Sequence, residues 1–422
     1  MNVGHGFRPM SRTMSRLSAA LAGCLAYAVA SAAAPRSDAY PSNRNAATQA
    51  AAQTATPPRT PRRYRIVEPP VHPGARVDFP PLGAFVKGAE RRAFEPGKVF
   101  VFEFFSTTCS HCMEAAPIVA ELARIYQAEG FEFISITGES EEKVREWLAK
   151  PGVAEETPQS VALEIDQAAT RLLQFGTYRN STPRFFVVRD GTVLWFGHPE
   201  SAEEPLARIA DGSWNPEEIR AQAILDSVVA RAREQTSKLA RACETDGKWP
   251  DLFELFDSIA FTIPEKASMF ELQKFGTMIG PARMPVEGYA YGRELALKYA
   301  RDLPALRTLA RTTLDGPRVE VRDLAFAHAV ARAADALGKG EDARAAEILA
   351  LARFSLGDRE GALEAQRRAI ALQSDPKLRA KYEADLRRYE TDAPGPKPAA
   401  SAGTRPAPSV GGATEETPDP DA

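Results

Sequence analysis

The chain has 422 residues, with 53 basic against 56 acidic side chains and four cysteines, a length that admits two or three domains. The near-neutral balance argues against nucleic acid as the main partner, because phosphate binding needs a concentrated positive field. Four cysteines in so long a chain exclude a disulfide-stapled scaffold, so any role left to them is chemical.

At the start of the chain, Arg8, Arg12 and Arg16 precede a charge-free, Ala-rich run from Leu17 to Ala34 that contains Ala30-Ser31-Ala32. A basic start, a short apolar stretch and small residues at its end are the parts of a secretory signal, assigned to residues 1–32. An uncleaved membrane anchor is the alternative. Leu21-Ala22-Gly23-Cys24 resembles a lipoprotein cleavage site, although the apolar run continues past Cys24 through Leu25, Tyr27 and Val29. Each reading exports the protein to an oxidising compartment, the periplasm or cell envelope, where cysteine pairs can be redox-active. Residues 33–73 hold Arg36, Arg44, Arg59, Arg62, Arg63 and Arg65 and little to bury. They read as a disordered basic linker, with a membrane tether as one use.

Strand signals begin near Phe79. Val99-Phe100-Val101-Phe102-Glu103-Phe104-Phe105 is apolar apart from one acid, which suits a strand buried on both faces of a sheet. It runs into Ser106-Thr107-Thr108-Cys109-Ser110-His111-Cys112 and then a helical pattern of Ala115, Ile118, Val119, Leu122, Ile125 and Tyr126. A C-x-x-C pair therefore sits at a helix N-terminus, where unpaired N–H groups and the dipole favour a thiolate and lower the pKa of Cys109. Cys112, one turn on, is close enough to close a disulfide with it. The same spacing is half of a zinc site, with His111 as a third ligand. No second C-x-x-C or H-x-H follows, so a redox pair is favoured and no metal is assigned. A peroxidatic cysteine fits less well, since a partner three residues away suits disulfide exchange.

These residues resemble the thioredoxin superfamily, and within it the TlpA/ResA-like exported thiol–disulfide oxidoreductases. The likeness covers residues 74–212. Its carriers are Gly97-Lys98-Val99 before the central strand, Glu103 six residues ahead of Cys109, Pro117 inside the helix, the next strand Phe131 to Ile136, and an inserted helix and strand between Ser140 and Asp166. Thr182-Pro183 and the run Arg184 to Gly191 complete it, and Asp190-Gly191 between apolar runs signals a hairpin independently. The resemblance implies an α/β thioredoxin fold, a central mixed sheet flanked by helices. It implies that Cys109 attacks a protein disulfide, Cys112 resolves the mixed disulfide, Glu103 shuttles protons to Cys112, and Thr182 with a cis-Pro183 contacts substrate. No cofactor is implied. His111 resembles the Pro-His dipeptide of the oxidant DsbA, where the histidine stabilises the thiolate. Thr108 stands where the family usually has Trp, and Ala115 where cytochrome-maturation members carry Glu.

After Gly212 the strand signals stop, and residues 213–392 read as an all-α helical or repeat-like domain. Asn215-Pro216-Glu217-Glu218 is a helix start, as is Lys248-Trp249-Pro250-Asp251. Cys243 reads as a buried hydrophobe. Ala345, Ile348, Leu349, Ala352 and Leu356 are placed on one helix face, Gly357-Asp358 turns, and Ala362, Ala365, Ala369 and Leu372 form the next face. This partly resembles a tetratricopeptide repeat, with an Ala-rich bundle as the plainer alternative; either offers a docking surface for a protein partner. Residues 393–422, acidic at the end, read as a disordered tail. The sequence thus suggests an exported oxidoreductase acting on protein thiols and disulfides with a redox partner. A non-enzymatic adaptor built on the same two domains is the rival.

Overall fold

The structure is a computed structural model that describes residues 61–393. The expected signal, most of the linker and all but the first residue of the tail lie outside the described residues. The chain divides into two compact units, Tyr64–Arg241 and the region from Ala242 onward.

In the first unit, the apolar run expected as a central strand forms β2 (Val99–Phe104), with every residue buried. It is joined by β1 (Leu82–Lys87), β3 (Glu132–Thr137), β4 (Ser160–Glu164), β5 (Arg184–Arg189) and β6 (Thr192–Gly197) in the order β1-β4-β3-β2-β5-β6. Pairs β2–β3 and β3–β4 are parallel; β1–β4, β2–β5 and β5–β6 are antiparallel. The β5–β6 turn is Asp190-Gly191 with positive φ at both residues, 51° and 74°, the backbone a two-residue hairpin turn favours. Helices α1 (Ser110–Ala128), α2 (Glu141–Leu148) and α3 (Glu203–Ala210) complete this mixed-sheet thioredoxin fold.

Side chains alternate across a strand, so β2 feeds two cores. Val99 and Val101 pack with Val119, Leu122, Ala123 and Tyr126 of α1. Phe100, Phe102 and Phe104 point to the other side, against Val71, Leu82, Ala169 and Leu173.

Both expected edges of this domain shift outward. Part of the linker assigned to residues 33–73 is packed: Val71 is buried and its N–H donates to the Gly176 carbonyl at 2.9 Å, while the Tyr64 hydroxyl donates to Gln235 at 2.6 Å. At the other end the boundary falls after Arg241, within helix α4 (Glu217–Asp246), and not at residue 212. Trp214 and Ile219 lie against the α1-side core, and the Trp214 indole N–H donates to the Leu194 carbonyl at 3.0 Å.

The second unit is helical: α5 (Trp249–Thr262), α6 (Ala267–Ile279), α7 (Pro285–Lys298), α8 (Leu303–Asp315), α9 (Leu324–Leu337), α10 (Ala343–Ser355), α11 (Arg359–Leu372) and α12 (Pro376–Thr391). Small residues set how closely these helices approach. A Cβ on Gly292 would meet the Phe275 ring at 2.6 Å, and one on Gly288 would meet Ile279 at 2.5 Å. The expected one-sided face of α10 is corrected: residues from Ala345 to Ala352 are buried all round, while Leu356 and Leu372 are exposed. Alanine's short side chain makes this close burial feasible, and the one charged residue in the run, Glu347, is paired with Arg311. Gln366 is fully buried and donates to the Tyr382 carbonyl at 2.8 Å. No helix among the described residues is long and apolar enough to cross a membrane.

Candidate functional site

The end of β2 and the start of α1 are separated by a short loop, and Cys109 occupies the cap position of the helix. Its φ and ψ are −83° and 114°, and its sulfur accepts the Cys112 N–H at 3.3 Å. Sulfur thus does the work that Ser or Asp does at other helix starts, satisfying an N–H that the helix leaves open. Cys109 is partly exposed, whereas Cys112 is buried in contact with Phe105, Val144 and Val161. Both are free thiols, as is the buried Cys243.

Thr182 and Pro183 lead into β5, which pairs with β2 so that Arg184 stands opposite Phe104. That register brings Thr182 to the site. Its hydroxyl lies 3.7 Å from the Cys109 sulfur as a donor, and its carbonyl oxygen lies 3.8 Å away within reach of the thiol. The Thr182–Pro183 peptide is cis.

The two thiols differ electrostatically. Burial pushes Cys109 upward, but hydrogen bonds from Cys112, the Thr182 hydroxyl and the backbone N–H groups of Cys112 and His111 outweigh it, leaving a net downward shift. Cys112 is pushed up to about 12, by burial first and then by its bond to Cys109. Near neutral pH the outer sulfur is therefore the better nucleophile, and the inner one needs a base.

The buried acid on β2 is Glu103. Only 6% exposed, it lies on the α1 side of β2, between Val101 in the α1 core and Phe105 in contact with Cys112. Burial raises its carboxyl to about 7, against hydrogen bonds from Ser135 and Gln159 that pull it down. A carboxyl tuned to that range exchanges protons readily at neutral pH.

His111 is exposed and reaches Cys109 through its backbone N–H, a contact different from the side-chain interaction expected. Pro117 lies within α1. Among the described residues, no three His, Cys, Asp or Glu side chains gather into a metal-binding group.

Sequence reasoning missed two supports. Glu139, just after β3, accepts the Thr107 N–H at 2.7 Å, the Thr107 hydroxyl at 3.0 Å and the Ser106 hydroxyl at 3.2 Å, and it pairs with Lys143. It therefore anchors the loop that presents Cys109. The other is Ser135, the polar residue in an otherwise apolar stretch of β3. Its place opposite Glu103 in the parallel register was the signal available, but reading it required the pairing.

Residues 90–209 match the family model described as Redoxin. Protein FixW of Rhizobium leguminosarum is 26% identical over 153 residues, which span 31% of this chain and 62% of that protein. Among solved structures, a thiol:disulfide interchange protein of the thioredoxin family from Chlorobium tepidum is 18% identical, covering 32% of this chain and 97% of its own, with a TM-score of 0.26. A secreted Mycobacterium tuberculosis disulfide oxidoreductase is also 18% identical, covering 26% of this chain and 82% of its own, with a TM-score of 0.22. The Redoxin match falls on the β2-to-α1 segment, β5 and the rest of the sheet beyond β1. The strand order above is that of a thioredoxin fold, and the Redoxin match falls on it.

Proposed function

We propose that the protein is an exported thiol–disulfide oxidoreductase of the TlpA/ResA-like kind, acting on protein disulfides through Cys109 and Cys112. The observation that carries this reading is the asymmetry of the pair: a partly exposed thiol shifted down beside a buried one pushed up to about 12. In the reducing direction, the Cys109 thiolate attacks one sulfur of a substrate disulfide and expels the other as a thiolate, which takes a proton from solvent. Cys112 then gives its proton to Glu103, and its thiolate attacks the Cys109 sulfur and releases the second substrate thiolate. The substrate gains two electrons and the Cys109–Cys112 pair becomes a disulfide. A dithiol redox partner returns two electrons to it. Thr182, against the Cys109 sulfur, lines the place where substrate arrives.

Export is supported by the basic and apolar pattern of residues 1–32. In the helical unit, a groove of about 440 Å³ between α8, α10 and α12, lined by residues including Arg307, Arg344, Ile348, Lys381 and Tyr382, supports protein docking there. A purely adaptor role would have no use for two thiols of opposite shift beside a buried acid.

The test is turnover of a model protein disulfide by the full chain. Wild type should catalyse it, Cys109→Ser should abolish it, and Cys112→Ser should accumulate the mixed disulfide. Turnover surviving in Cys109→Ser would sink the mechanism. The reduction potential assigns direction: about −270 mV indicates a reductase and about −120 mV an oxidase.

A further inference from the structure

Beneath the pair, three polar side chains from three segments meet inside an otherwise apolar layer. The Ser135 hydroxyl, on β3, donates to the Glu103 carboxylate on β2. The Gln159 amide, just ahead of β4, donates to the Ser135 oxygen at 3.2 Å and also hydrogen-bonds the Glu103 carboxyl. Ser135 is 1% exposed and Gln159 is 7% exposed. Burying three polar groups together is costly unless each has a purpose or a partner. An apolar residue at position 135 would continue the face on which Phe133 lies at no such cost.

The direction of the bonds matters. A serine hydroxyl can donate to a carboxylate or accept from a carboxylic acid, and its hydrogen rotates to suit. Because Gln159 donates to the serine oxygen, the hydroxyl hydrogen is left to point at Glu103. That arrangement favours the ionised carboxylate over the acid, and it opposes the burial that favours the acid. The other groups facing Glu103 do not compete. Phe185 stands opposite it on β5, Val101 and Phe105 flank it on its own face, and Cys112 and Cys109 belong to the cluster around Phe105.

We propose that Ser135 and Gln159 are positioning residues: Gln159 orients the Ser135 hydroxyl, and the hydroxyl holds Glu103 in its proton-accepting form. This rests on the reading of Glu103 as the base for Cys112, and it adds what keeps that base usable. Without the pair, a carboxyl so buried would hold its proton at neutral pH and could not take one from Cys112.

The experiment follows Glu103 directly, through the pH dependence of its carboxyl carbon signal in the full-length dithiol protein, alongside the pH dependence of glutathione release from a Cys109–glutathione mixed disulfide. Ser135→Ala should move the Glu103 midpoint up by about one pH unit. Gln159→Leu should move it the same way by less, and Ser135→Thr, which keeps a hydroxyl, should restore it. A midpoint that stays put in a folded Ser135→Ala protein overturns the proposal, and so does failure of Ser135→Thr to restore it. The release kinetics judge the underlying reading separately: a shifted Glu103 midpoint with unshifted release upholds the network and removes Glu103 from the Cys112 step.

Discussion

The two faces of β2 are built from alternate residues of one run, yet they differ in kind. Phe100 and Phe102 join Phe79 and Phe94 in edge-to-face and stacked pairs, with ring centroids 5.4 Å apart for Phe94–Phe100 and 5.9 Å for Phe100–Phe102, and Phe104 meets Phe186 edge-to-face at 5.6 Å. Arg184, on that side, tucks its guanidinium over the Phe186 and Phe196 rings at 5.1 and 4.9 Å. The opposite face starts with Val99 and Val101 and then places Glu103 among Ser135 and Gln159, under the helix that carries the cysteines. One face stabilises the sheet; the other gives up part of that stability to keep an ionisable group under that helix. The alternation of a strand makes this separation possible within six residues.

Substitutions on each face can break or sharpen that contrast. The largest effect belongs to the aromatic face: Phe102→Ala should cost about 3–5 kcal/mol, seen as a lower denaturation midpoint. A loss well below 1 kcal/mol would remove the distinction between the faces. Glu103→Gln should act oppositely. Burial raises the folded carboxyl from 4.5 to about 7, so between those values the unfolded chain holds fewer protons. Wild-type stability must therefore fall as pH rises through that window and level off above it. The variant lacks that slope and should be more stable by about 2 kcal/mol at pH 8, while resolving mixed disulfides more slowly. Denaturation at pH 5 and pH 8 decides it, and a wild type that gains stability across the window would contradict the assignment. The smallest effects lie at the rim. Thr182→Val should raise the alkylation midpoint of Cys109 by about half a pH unit, and His111→Ala, which keeps the backbone N–H, should move it less. A larger shift in His111→Ala would return the side chain to the role its sequence position suggested.

What could be read from sequence was local. β2 declared itself by a seven-residue run apolar apart from one acid, the cysteine pair by its place between a strand and a helix, and the hairpin by Asp190-Gly191. Glu103 and Pro183 were legible through resemblance, since neither is distinguished by its neighbours alone. Ser135, Gln159 and Glu139 were not, because their partners are fixed by strand register and by a loop that folds back from β3. The domain edges were missed for a related reason. Val71 and Trp214 are single apolar residues in polar or proline-rich surroundings, and only the surfaces they meet show that they belong to the first unit. In α10, periodicity suggested one buried face where the packing of small alanines buries all sides.

The cap on α1 has a consequence for timing. While Cys109 is a thiolate, its sulfur holds the N–H of Cys112. Once that sulfur is bonded to a substrate it is no longer an anion and is a poorer acceptor. The grip on the first turn then slackens at the residue that must move next. In the proposed cycle the attacking atom is thus also the latch on its successor, and covalent capture is what unfastens it.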